Sequence, residues 1–238
     1  MHATSVKVWD LPLRLFHWLL VISVAVAYCS TKTDWLTTDV HWYAGMSITF
    51  LWLFRVIWGF VGSATAQFRQ FFPTPSRLLH SMRHGWQEIG HTPTGGLSVI
   101  ALLLLLAAMI VTGLFASDDI ALNGPIAPYV DESFSDQMSA WHAWLFKGLL
   151  SLVALHIAAI TYYLIYKKNN LLQPMITGVK TVSLSVLARL PHAKQHLGWR
   201  LLGSVLVASL LTWAIFSPTA HHFFYQPPPA TPTPAAAW

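Results

Sequence analysis

Five long apolar stretches punctuate the chain: Pro12–Ser30, Val40–Gly62, Gly96–Ala116, Ser139–Tyr166 and Leu197–Ser217. A helix crossing about 30 Å of hydrocarbon needs about 20 mostly apolar residues, so each stretch predicts a membrane-spanning helix. Polar and proline-bearing segments separate them. Ser63–Gly95 carries Pro73, Pro75 and Pro93, with an interfacial helix expected around Ser76–Ile89. Ser117–Met138 contains Asn123-Gly-Pro and a second proline and reads as irregular. Helix starts are expected at Asp10 with Pro12, at Thr38 or Asp39, and at Ser135 or Ser139. The first stretch is too long for a cleaved signal peptide and is not followed by small-residue cleavage chemistry. The segment Gln226–Trp238, rich in Pro and Ala, reads as an extended, disordered tail.

Composition strengthens this pattern. Hydrophobic residues make up 55% of the 238 and charged ones 10%, too little charge to solvate a soluble domain of this size. The single cysteine, Cys29, excludes a Cys-x-x-Cys-His attachment site, a cysteine-held iron–sulfur cluster and an internal disulfide. The net charge of +5 does not imply a nucleic-acid partner, because the basic residues flank the spans. Lys7, Arg14, Arg69, Arg77, Arg83, Lys167, Lys168, Lys180, Arg189, Lys194 and Arg200 all fall on one side if the N-terminus is cytoplasmic. The other side gathers Asp34, Asp39, Asp118, Asp119, Asp131, Glu132 and Asp136 against Lys32. The positive-inside rule therefore predicts a cytoplasmic N-terminus and, after five spans, a C-terminus on the outer side.

Four of the 12 histidines lie within or at the ends of spans: His17, His41, His142 and His156. Ionisable groups inside a bilayer are costly, so each marks a candidate site, although interhelical hydrogen bonding or capping also accounts for such residues. Their depths carry more information. His142 and His156 share one span 14 positions apart, a step of roughly 21 Å that leaves them about 40° from a common face. His17 matches the inner level and His41 the outer. Two pairs follow, His17 with His156 and His41 with His142, each suited to the two axial positions of a b-type haem, whose porphyrin supplies the other four nitrogens. Zinc would need all its ligands in one sphere about 2 Å in radius, which two depths do not provide.

Nearby residues suit a flat macrocycle. Gly45 follows His41 by one turn and Ala154, Ala158 and Ala159 surround His156, although small residues are also ordinary membrane packing. Arg55 lies 14 residues after His41. It either reaches an inner haem propionate as a bidentate donor or snorkels to the interface, and Lys147 has the same two readings at the outer level.

Val8-Trp-Asp-Leu-Pro-Leu-Arg-Leu-Phe-His17-Trp, His41-Trp-Tyr-Ala-Gly45, Trp141-His142, Leu155-His156-Ile-Ala-Ala and Lys168-Asn-Asn-Leu-Leu together resemble the bacterial cytochrome b561 family, which includes the b-type cytochrome subunits of membrane-bound hydrogenases. The resemblance covers residues 6–175. It implies an all-α integral membrane protein, a four-helix bundle holding two non-covalent haems b through His17, His41, His142 and His156. Residues 1–175 would form that di-haem bundle, 176–217 an added inner loop and fifth transmembrane helix, and 218–238 an outer tail.

The expected activity is transmembrane electron transfer between the quinone pool and a periplasmic redox partner such as a c-type cytochrome. The resemblance also admits a hydrogenase-like anchor subunit and a stand-alone superoxide:ubiquinone oxidoreductase. Superoxide chemistry favours a positive outer funnel, and the outer loops here are acidic.

Overall fold

The computed structural model describes residues 3–32, 38–84, 90–118, 123–183 and 197–217. Asp34, Asp119, Arg189, Lys194 and the Pro-rich tail lie outside the described residues. In chain order the elements are strand β1 (Ala3–Lys7), helices α1 (Leu11–Ser30), α2 (Thr38–Val61), α3 (Phe68–Phe71), α4 (Pro75–His84), α5 (Pro93–Phe115), α6 (Glu132–Ile165) and α7 (Leu172–Thr177), strand β2 (Val179–Ser183) and helix α8 (Leu197–Phe216). Helices α1, α2, α5, α6 and α8 are long and apolar enough to cross a membrane, matching the five predicted spans. Many of their large apolar side chains face outward, Leu104, Leu155 and Leu210 among them, as lipid-facing surface requires.

Local chemistry sets the helix ends. Asp10 caps α1, its Oδ1 accepting from the Leu13 amide at 2.7 Å, with Pro12 in the first turn where no amide is needed. Thr92 caps α5 by accepting from the Gly95 amide at 3.0 Å, so that helix begins at Pro93 rather than Gly96. Helix α6 is already under way at Glu132, and neither Ser135 nor Ser139 opens it. Both serines instead stitch it to the end of α5. Ser135 Oγ donates to the Phe115 carbonyl at 2.7 Å, while Ser139 Oγ donates to the Ser117 carbonyl at 2.7 Å and accepts from its amide at 3.0 Å. The helix predicted around Ser76–Ile89 runs over Pro75–His84, and 85–89 lie outside the described residues.

The spans pack as two hairpins. Helix α1 lies along α2 and α5 along α6, and the hairpins join through α2 and α5, where Trp52 Nε1 donates to the Leu103 carbonyl at 2.9 Å. Helix α8 packs on α2 through Ser204, Ala208, Thr212 and Phe216, a buried stripe at every fourth position. Its small side chains let the backbones approach. The tightest core, around Leu13, Phe16, Leu51, Phe54 and Trp58, gathers where α1 begins and α2 ends. Trp58 Nε1 donates to Asp10 Oδ2 at 3.1 Å, locking those two ends together.

A two-stranded antiparallel ribbon, unpredicted by the hydropathy pattern, closes the same end. β1 pairs with β2 from Ala3↔Ser183 to Lys7↔Val179. Gly178, at a left-handed φ of 84°, ends α7, and its carbonyl accepts from the amides of Val8 (2.8 Å) and Trp9 (3.2 Å).

Candidate functional site

The structure brings His41 and His142 together at one level of the bundle. His41 sits in the first turn of α2 and faces the end of α1, where its Nδ1 lies 3.0 Å from the Ala27 carbonyl and 3.2 Å from Ser30 Oγ. His142 faces the end of α5, its Nδ1 3.0 Å from the Met109 carbonyl and 3.2 Å from Thr112 Oγ1. A carbonyl oxygen can only accept, so each Nδ1 must carry the proton. Each Nε2 is thereby left unprotonated, the form in which imidazole binds a metal.

The ring centres are 6.4 Å apart. An imidazole nitrogen bonds a first-row metal at about 2 Å and lies about 1 Å from its ring centre, so rings on opposite axial positions are about 6 Å apart. The pair therefore fits the two axial positions of one haem iron. Gly113 sits against His142, where a β-carbon would lie 3.0 Å from the ring Cε1. Gly45 stands beside His41 with open space where a side chain would project. Lys147 is exposed and places its Nζ 4.3 Å from the centre of the Trp144 ring.

The other level is built differently. It holds His17, in the second turn of α1, and His156, late in α6. The Nδ1 of His17 is enclosed without a hydrogen-bond partner. Arg55 is 2% exposed, with its guanidinium 4.7 Å from the Phe68 ring centre and 5.9 Å from that of Phe71. It therefore lies beneath α3 rather than snorkelling to the surface.

His91, which the sequence assigns only to a loop, joins this level. Its ring lies 4.6 Å from Trp9 and 4.4 Å from Phe71, and its charge would be felt at Arg55 and His156. Burial first, then repulsion from Arg55 and His156, push its pKa down to about 3, so the imidazole is neutral at physiological pH. Set between Gly90 and Thr92 in a polar, proline-bearing segment, it carries no sequence signal. The packing of that loop under α3 buries it.

Among the described residues no group of three or more His, Cys, Asp or Glu side chains converges as a metal cluster. His41 and His142 meet as a pair, a ligand set that suits a six-coordinate haem iron. The model of the prokaryotic cytochrome b561 family matches residues 8–178. The chain belongs to that family. It is therefore a multi-pass membrane cytochrome that carries haem b and transfers electrons in the membrane.

Curated relatives agree. A probable Ni/Fe-hydrogenase 1 B-type cytochrome subunit of Escherichia coli K12 is 24% identical over 222 positions, covering 76% of this chain and 92% of the relative. A probable Ni/Fe-hydrogenase B-type cytochrome subunit of Azotobacter vinelandii is 26% identical over 215 positions, covering 74% and 88%. No solved structure matches the chain.

Proposed function

We propose that this cytochrome carries two haems b, one above the other, and relays electrons between the quinone pool and a redox partner docked on the membrane. His41 and His142 are the axial ligands of the outer haem, and His17 and His156 those of the inner. The observation that carries the reading is the outer pair, whose ring separation of 6.4 Å and carbonyl-held Nδ1 atoms suit one bis-imidazole iron. The matching 14-residue intervals from His41 to Arg55 on α2 and from His142 to His156 on α6 support a second level roughly 21 Å away.

Haem supplies a reversible one-electron centre when bound. The chain's own part is to hold the His41 and His142 imidazoles in the ligating tautomer, to leave room beside Gly45, and to place Arg55 where an inner propionate carboxylate can pair with it. The charge distribution supports a bacterial inner-membrane topology with the N-terminus cytoplasmic and the segment after Ser217 periplasmic. A reporter fused after Trp238 should be active only on the periplasmic side.

The names of the relatives support a role as the membrane subunit of a hydrogenase-like enzyme, which would be the redox partner. A basic c-type cytochrome is a second reading, favoured by exposed Asp131, Glu132 and Asp136 beside His142 at the outer end of α6. Stopped-flow reduction of such a cytochrome over a salt series separates the two. A rate that falls with salt, and again on neutralising those carboxylates, supports the c-type partner, and an unchanged rate removes it.

Haem content tests the core of the reading. Pyridine haemochrome analysis should find two haems b per chain, and His142→Ala or His41→Ala should lose one of them while His17 and His156 keep theirs. Retention of both haems by His142→Ala would sink the pairing.

A further inference from the structure

Arg55 and His91 remain once the histidine pairs are assigned, and each has a buried nitrogen without a partner. Arg55 Nη1 is enclosed and unbonded, as is His91 Nδ1. The opposite charge that Arg55 feels is Asp10, yet both Asp10 oxygens are engaged, Oδ1 by the Leu13 amide and Oδ2 by Trp58 Nε1. A guanidinium removed from water with an unused N–H is costly unless an anion meets it. His91 shares the Phe71 ring with Arg55 and, being neutral, offers a donor without adding a second positive charge. Phe68, Phe71 and Trp9 wall the two off.

The two residues sit at the level of the inner pair. Arg55 follows His41 by the interval that separates His156 from His142, and His91 is coupled electrostatically to His156. The ligand chemistry that fits is a pair of anionic oxygens held by a planar fork and a neutral imidazole. A haem carboxylate and a lipid phosphate share that chemistry. The almost complete burial of Arg55, under α3 and away from the surface, favours the carboxylate.

We propose that Arg55 and His91 form a carboxylate clamp closed by a propionate of the inner haem, and that the clamp raises the reduction potential of that haem alone. The proposal rests on the two-haem reading. The sign follows from charge. Reduction adds an electron, a nearby buried cation stabilises the reduced iron, and removing it leaves the propionate's negative charge uncompensated.

The test is potentiometric titration of the purified holoprotein, followed in the visible haem bands and in redox-difference infrared spectra of the carboxylate region. Arg55→Gln should keep two haems, shift the inner potential downward, move a propionate band and leave the outer haem unmoved. Arg55→Lys should restore most of the potential, because it keeps the charge but loses the fork. His91→Phe should give a smaller downward shift, and His91→Gln, which keeps a donor, should lie near wild type. Should Arg55→Gln lose the inner haem, the His91→Phe and His91→Gln pair decides by the same two readouts.

Two retained haems with unmoved potentials and an unmoved carboxylate band would overturn the clamp alone. A wild-type protein with fewer than two haems would overturn the two-haem reading and the clamp with it. If the difference between wild type and Arg55→Gln vanished when phospholipid was stripped and returned on adding it back, the occupant would be a lipid phosphate and the propionate assignment would be overturned.

Discussion

The two levels of this bundle achieve opposite things with the same residue type. At the His41–His142 level each imidazole is fastened through Nδ1 by a main-chain carbonyl and a hydroxyl from the neighbouring helix, Ala27 and Ser30 for His41, Met109 and Thr112 for His142. At the level of His17 that residue has an enclosed Nδ1 with no such anchor, and the surroundings are a buried cation, a third imidazole and a wall of aromatic rings. Backbone carbonyls fix ring orientation and tautomer but add no net charge. Arg55 does the reverse, bringing a buried positive charge against the Phe68 and Phe71 rings. The lesson is that one level is organised by hydrogen-bond geometry and the other by a buried charge.

The most severe way to break the contrast is Gly113→Val. A β-carbon added there would stand 3.0 Å from His142 Cε1, and two further methyls must displace the ring from its carbonyl. About half the haem should be lost, all of it from the outer site. Retention of both haems with unchanged spectra would show that His142 can move freely, and the geometric account would fail.

Asp10→Ala attacks the inner level from its scaffold. It removes the cap of α1 and leaves the fully buried Trp58 Nε1 without an acceptor. Loss of a cap costs about 1 kcal/mol and an orphaned buried donor about 1–3 kcal/mol, so the folded state should lose about 2–4 kcal/mol in a reversible denaturation. Asp10→Asn, which keeps an acceptor, should recover much of it.

Acidification offers a milder probe. His91 is held neutral with a pKa lowered to about 3, whereas an unfolded histidine titrates near about 6.5. The folded state therefore binds fewer protons below about pH 6.5. This residue's effect is absent above that value, and stability declines as pH falls from about 6.5 toward about 3. Denaturation midpoints compared at about pH 7 and about pH 5 should show a drop in wild type that is smaller in His91→Phe. Equal drops would place the acid sensitivity elsewhere.

The smallest expected effect is that of Thr112→Val, which removes one of the two partners of His142 Nδ1 and leaves the Met109 carbonyl. A cost of about 1 kcal/mol is expected, with both haems retained and a slight shift confined to the outer one. A shift of the inner haem as well would mean that the levels are not independent.

Much of this architecture was legible in the chain itself. Span length and apolarity are local properties, so α1, α2, α5, α6 and α8 stand close to where the hydropathy pattern puts them, and Asp10 with Pro12 opens α1 by short-range chemistry. The start of α6 was misread because Ser135 and Ser139 have the residue types of caps, and nothing local reveals that their hydroxyls bond to Phe115 and Ser117 instead. The approach of His41 to His142 also agrees with the sequence, since helical rise converts residue intervals into depth.

Tertiary structure alone decided the rest. Every residue has a carbonyl, so no pattern could single out Ala27 and Met109 as the anchors of His41 and His142; they are chosen by how α1 meets α2 and how α5 meets α6. The ribbon joins Ala3–Lys7 to Val179–Ser183 across most of the chain, and five-residue strands of mixed polarity are too short to declare themselves. His91 looks like any loop histidine until Trp9, Phe71 and Arg55, brought from the link between β1 and α1, from α3 and from α2, gather around it. Sequence determined where the five long apolar helices lie, because span length and apolarity are local properties. Packing determined what each group touches, because contacts between distant segments depend on the whole fold.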